Sequence, residues 1–270
     1  MASKATDPIG IFDSGIGGLT VAHAAKELLP KERLVYFGDT AHLPYGDKST
    51  AAIQAYSIKI CDLLLEHDCK LILIACNSAS AAAYDLVKEY VGKRTKVMNV
   101  IDPVVDYVRE QHPAERVGLI GTKQTVGSQV YKQKIQSLAI DIDFKALATP
   151  LLVPMIEEGF FKDQISQTII AKYLNNAELK DLKALILGCT HYPLIKEAIR
   201  DFYQGKVDVI DSSEIVAKSL RAFLEFHNLI NQSEVGEDKF MISDYTESFE
   251  HSTKLFFEKE VHLELYKLWE

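Results

Sequence analysis

The chain has 270 residues, 47% hydrophobic and 25% charged: enough apolar material for one large or two modest domains, and not the composition of a fibrous or disordered chain. The formal net charge is -8, and residues 231–270 hold ten acidic side chains against four basic ones, which reads as a solvated face; with no Lys/Arg cluster, nucleic acid and anionic membrane surfaces are excluded as partners. No stretch is apolar for long enough to span a bilayer, and MASKATDPIG lacks the apolar centre of a secretory signal, so a cytoplasmic protein with reduced thiols is expected.

In chain order, residues 9–12 read as a strand, SGIGG as a turn, and 19–29 as a helix that stops at Pro30. A second strand is expected at 34–37. Ile53, Tyr56, Ile60, Leu63 and Leu64 share one helical face. Residues 71–75 are continuously apolar, as a buried parallel strand is. The Ala-rich stretch 78–91 reads as a helix closed by Gly92, and 97–101 as a fourth strand. The alternation restarts at Val117. A helix is expected at 215–226, with extra strands at 240–242 and 261–265 that return to the first half of the chain.

The restart is a repeat. IGIFDSG at 9–15 resembles VGLIGTK at 117–123, LILIACNS at 71–78 resembles ALILGCTH at 184–191, and NVID at 99–102 resembles DVID at 208–211. Three landmarks recur in one order at nearly one spacing, the mark of an internal duplication. Alternating strands and helices give an α/β fold with mainly parallel sheets. The expected architecture is two pseudo-symmetric lobes, each a sheet flanked by helices, with the active site in the crevice between them. Residues 1–102 plus 212–270 would form the first lobe and 103–211 the second.

The duplication pairs Cys76 with Cys189. Each ends an apolar strand and is expected to precede a helix, the place where open α/β sheets bind ligands. Helix N–H groups and the dipole would favour a thiolate there and lower its pKa. A cysteine at the end of a strand is ordinarily a small buried hydrophobe, and that reading is kept for Cys61 and Cys69, which have no matched partner. For Cys76 and Cys189, facing one another across a pseudo-twofold axis, the match points to chemistry. Racemisation at Cα needs a base on one face and an acid on the other, with roles that swap in reverse. Asn77, Ser78 and Thr190 supply groups that can hold a carboxylate. His191 is placed to assist Cys189, and Asp13 to assist Cys76 or to hold an ammonium group.

Other readings are weaker. Zinc would draw on Cys189, His191 and Cys76, but the sequence lacks the two close ligand pairs of a structural site. DSGIGG at 13–18 is followed by Thr20 where a dinucleotide fingerprint needs glycine, and there is no G-K-[ST]. A thiol hydrolase with Cys189 as nucleophile and His191 as base needs only one cysteine, and so leaves Cys76 and the duplication unexplained. A two-lobed binding protein would tolerate loss of both.

These motifs resemble those of the glutamate racemases of bacterial cell-wall synthesis over nearly the full length. The resemblance is carried by IGIFDSGIGGLTV at 9–21, FGDTAHLPYG at 37–46, IACNSASA at 74–81, GTKQTV at 121–126, LVPMIEEG at 152–159 and LGCTHYPLI at 187–195. It implies that Cys76 takes the proton from D-glutamate and Cys189 from L-glutamate. It implies a substrate site lined by Asp13, Ser14, Tyr45, Gly46, Asn77, Ser78, Thr190 and His191, with Thr122, Asp39 and Glu157 as further candidates. It also implies neither pyridoxal phosphate nor metal, a homodimer, and D-glutamate delivered to peptidoglycan. The family usually has Thr where this chain has Ser78, which keeps the hydroxyl and loses a methyl. The match of both cysteine motifs and of LPYG argues against an aspartate or hydantoin racemase.

Overall fold

Apolar runs too short for helices and punctuated by glycine settle as strands, and amphipathic stretches between them cover the sheets. A computed structural model describes residues 3–233, 236–245 and 253–270. The first units are β1 (Ile9–Asp13), α1 (Leu19–Leu28), β2 (Leu34–Gly38), α2 (Thr50–Glu66), β3 (Leu71–Ile74), α3 (Asn77–Val91), β4 (Lys96–Asn99) and α4 (Ile101–Gln111). The next are β5 (Arg116–Gly121), α5 (Lys123–Gly127), α6 (Val130–Ser137), β6 (Asp143–Ala148), α7 (Leu152–Glu157), α8 (Gln164–Leu174), β7 (Ala184–Gly188), α9 (Lys196–Phe202) and β8 (Asp208–Ile210). The chain ends with α10 (Ser212–Phe226), β9 (Lys239–Ile242) and β10 (Glu264–Leu265).

Two parallel sheets result. One has the order β10-β9-β2-β1-β3-β4 and the other β6-β5-β7-β8. The four strands β2-β1-β3-β4 and the four strands β6-β5-β7-β8 take corresponding places, so the duplication seen in the short motifs is repeated in topology. β1, β2, β3 and β7 are buried along their whole length, as strands covered on both faces must be. α1 packs along α10, and one apolar cluster runs from Ile9 and Leu19 through Val216 and Leu220 to Leu185 and Leu187, joining the two sheets. Among the described residues no helix is long and apolar enough to cross a membrane.

Three expectations need correction. β4 stops at Asn99 rather than 101, because the Asn99 side chain accepts hydrogen bonds from the Ile101 and Asp102 N–H groups at 2.8 and 2.9 Å and turns the chain into α4. Only Glu264–Leu265 pairs as a strand within 261–265; Val261 and Leu263 are buried as packing anchors. α3 does follow Cys76, but Cys189 is followed by a 3-10 turn at Tyr192–Ile195, and α9 begins only at Lys196. Of the acidic stretch 231–270, residues 234–235 and 246–252 lie outside the described residues, and the described acidic side chains are exposed apart from Asp238 and its ion pair with Lys26.

The return of the chain to the first sheet is secured by an ion pair at the N-terminal end of β3. Lys70 is fully buried and donates to the Glu32 carboxylate, to the Ala5 carbonyl and to the Leu229 carbonyl. Glu32 also accepts from the Asn231 N–H at 2.8 Å. Removing one partner of such a pair strands a buried charge. Lys70→Ala is therefore expected to lower unfolding stability in urea by about 3–5 kcal/mol; a loss below about 1 kcal/mol would show that the pair is dispensable.

Candidate active site

The carboxyl ends of the central strands carry the polar residues. β1 ends at Asp13 and runs into Ser14, β3 leads through Ala75 to Cys76 at the N-cap of α3, β5 leads to Thr122, and β7 leads to Cys189, Thr190 and His191. A crevice between the two sheets collects Ser14, Tyr45, Gly46, Cys76, Asn77, Ser78, Cys189, Thr190 and His191, together with Thr122 and Glu157. Asp13 and Asp39 stand behind the wall, both fully buried. The sequence reading missed Thr149, Pro150, Val153 and Pro154, which also line the crevice. They follow β6, a half-exposed edge strand whose sequence DFKALA has no continuous apolar run to announce it.

Close approach sets the shape of the crevice. A Cβ on Gly17 would meet the His191 ring at 2.5 Å and the Thr190 hydroxyl at 2.7 Å, so only glycine lets the turn after β1 lie against the turn after β7. A Cβ on Gly46 would meet the Thr122 Cβ at 2.8 Å. Hydrogen bonds tie the same walls. The Ser78 and Thr122 hydroxyls are 2.9 Å apart, the Tyr131 hydroxyl donates to Asn77 Oδ1 at 2.8 Å, and the Thr20 hydroxyl donates to the Thr190 carbonyl at 3.2 Å. Asn77 Nδ2 and Asp13 Oδ1 are buried with no hydrogen-bond partner among the described residues, leaving a donor and an acceptor beside the crevice.

The two cysteines sit in different electrostatic settings. Cys76 Sγ accepts from the Ala79 N–H at 3.4 Å and lies 3.7 Å from the Ser14 hydroxyl. Burial and then the charge of Asp13 push its thiol up to about 12, against the smaller pull of Ala79 and Ser14. The expectation that a helix start would lower this pKa is thus overturned. Cys189 Sγ lies 3.8 Å from His191 Nδ1, and His191 Nε2 lies 3.0 Å from Glu157 Oε1. Burial pulls the imidazole down, but Cys189 and Glu157 together outweigh it and raise His191 to about 10, so it is a cation at neutral pH. Burial also raises Asp13, opposed by the His191 charge and by the N–H groups of Gly15, Gly18 and Ser14. Burial and then the Asp39 charge keep the Tyr45 hydroxyl protonated. One cysteine is thereby a neutral thiol, and the other faces a cation.

Residues 19–220 match the family model described as Asp/Glu/hydantoin racemase. A glutamate racemase of Chlorobaculum parvum is 40% identical over 92% of this chain and 92% of its own length. A crystal structure of glutamate racemase from Francisella tularensis in complex with D-glutamate superposes with a TM-score of 0.90 at 37% identity, covering 98% of this chain and 99% of that one. An aspartate racemase homologue from Pyrococcus horikoshii shares the fold, with a TM-score of 0.54 at 18% identity over 81% of this chain and 99% of that one.

The thiols of Cys61, Cys69 and Cys76 are each raised to about 12, in every case chiefly by burial, while Cys189 has the His191 cation beside it. Iodoacetamide at pH 8 is expected to alkylate Cys189 first, read by peptide mass spectrometry. Equal or faster labelling of Cys76 would contradict this charge assignment.

Proposed function

The chain belongs to the Asp/Glu/hydantoin racemase family and is an amino-acid racemase, and from that premise we propose that it interconverts L- and D-glutamate by moving a proton at Cα between Cys189 and Cys76. The observation that carries this reading is geometric: two cysteines at corresponding strand ends line one crevice, Cys189 Sγ 3.8 Å from His191 Nδ1 and Cys76 Sγ 3.4 Å from the Ala79 N–H.

In the direction from L-glutamate, the sulfur of Cys189 takes the α-proton while the Cys76 thiol delivers its own proton to the opposite face. The Cα–H bond breaks on one side and forms on the other, and the product leaves as D-glutamate. The carbanion-like state is short-lived and needs its charge met as it forms. Asn77 Nδ2 and the hydroxyls of Ser14 and Thr190 are placed to receive the α-carboxylate, and His191 lends positive charge. After turnover the sulfur charges are reversed. Asp13, whose charge acts on Cys76 and whose own pKa is raised, is the group placed to serve that side. Glu157 holds His191 from behind. The reaction uses neither pyridoxal phosphate nor metal.

Around this chemistry stands the rest of the reading: two lobes, 1–102 with 212–270 and 103–211, meeting at the crevice; a homodimer in the cytoplasm; and D-glutamate supplied for peptidoglycan. Identity to glutamate racemases over nearly the whole chain, against a match in fold alone to the aspartate racemase homologue, favours glutamate over aspartate.

Cys76→Ser and Cys189→Ser are each expected to lower kcat by about 10²–10⁴-fold, the range of general acid–base catalysis, with glutamate binding by calorimetry within about threefold of wild type. Full activity in either variant would overturn the two-cysteine mechanism. The His191 cation is present below pH 10 and is lost as pH rises through that value. The kcat/KM profile should therefore show an alkaline limb near 10, and Glu157→Gln, which removes one of the groups raising this pKa, should move the limb to lower pH. A limb that stays in place in Glu157→Gln would exclude His191 as its source.

A further inference from the structure

The 42–47 loop closes one side of the crevice, and its outer side is held by a part of the chain far away in sequence. Asp39 follows β2 and is fully buried. Among the described residues four side chains donate to its carboxylate: His42 Nδ1 at 3.0 Å, the Tyr45 hydroxyl at 2.7 Å, the Ser243 hydroxyl at 2.8 Å and the Trp269 indole N–H at 2.8 Å. A buried carboxylate needs such donors, and hydrogen bonds to an ionised group are the strong ones. Two of the four come from the loop that lines the crevice. The other two come from the segment after α10, Ser243 beyond β9 and Trp269 beyond β10.

Ring packing reinforces the joint. His42 stacks on Tyr56 at 4.1 Å and meets the edge of Trp269 at 4.5 Å, Tyr56 meets Trp269 at 5.4 Å, and Lys59 Nζ lies 4.9 Å over the Trp269 ring. On the inner side of the same loop, Tyr45 and Gly46 face the crevice. Asp39 is thus the shared anchor of a crevice wall and of the segment 264–270.

We propose that Trp269 is a positioning residue: by donating its indole N–H to Asp39 it straps the 42–47 loop, and with it Tyr45, into the place where the crevice receives substrate. The importance of this strap for turnover rests on the reading of the crevice as a glutamate site. The strap itself does not. Trp269 is half-buried and packs on the rim of the apolar core of the first sheet, so Trp269→Phe keeps an aromatic ring there while removing the indole donor.

Two measurements on the whole protein test this. The first is hydrogen exchange, without substrate, at the Asp47 and Lys48 amides, which donate to the Pro44 and Tyr45 carbonyls. The second is steady-state kinetics on both glutamate enantiomers. In Trp269→Phe the two amides are expected to exchange about tenfold faster, and KM to rise about tenfold with kcat within about twofold, the size of one charge-assisted hydrogen bond acting on ground-state positioning. Unchanged exchange at both amides would overturn the strap whatever the activity, as would a fall in kcat with KM unmoved. Faster exchange in a protein whose wild type leaves glutamate unracemised would support the strap and overturn the functional reading alone.

Discussion

Both ring nitrogens of buried His191 meet groups that raise its pKa against the pull of burial: Cys189 at 3.8 Å on one side and the Glu157 carboxylate at 3.0 Å on the other. A buried cation without such partners would shed its proton. Much of the crevice wall follows from housing this arrangement. Gly17 gives way to the ring, Thr20 fastens the Thr190 carbonyl beside it, and Phe256, from the far end of the chain, sets its edge against the imidazole at 5.3 Å. Of two cysteines at matching positions, only Cys189 has this imidazole beside it.

Duplication explains why there are two cysteines, and divergence explains why they differ. The strand orders β2-β1-β3-β4 and β6-β5-β7-β8 place Cys76 and Cys189 after corresponding strands. Beyond those strands the halves part. α3 follows Cys76 directly, and its Ala79 N–H reaches the sulfur. After Cys189 the chain makes a 3-10 turn with Pro193 near its start, and a side chain, His191, takes the place of the helix N–H. Matching topology brings both sulfurs to one crevice, and their neighbours differ: a helix N–H at Cys76 and an imidazole at Cys189.

The sequence showed most plainly what rests on continuous apolar runs and on repeats. β1, β3 and β7 and the matched strand ends that carry the two cysteines were readable, because a strand buried on both faces leaves a run and a duplication leaves an echo; the NVID–DVID echo was misaligned, since the sheet registers set Asn99, not Asp102, opposite Asp211. β6 was not, since a half-exposed edge strand alternates without a clear period, and with it Thr149 and Val153 were lost from the crevice. The raised thiol of Cys76 was not, since a helix start alone says nothing of burial or of Asp13 behind it. Nor was the joint at Asp39, which gathers residues from both ends of the chain that no local pattern connects.

The proposed two-cysteine mechanism makes a claim about where hydrogen comes from. L-glutamate incubated with the protein in D₂O, with nothing else added, should yield D-glutamate that carries deuterium at Cα from the first turnover, while the remaining L-glutamate keeps its protium, because the Cys76 thiol has exchanged with solvent and the Cys189 sulfur returns the proton it took. Product that retains protium, or deuterium entering the L pool as fast as the D pool forms, would contradict the account by showing that a single group serves both faces.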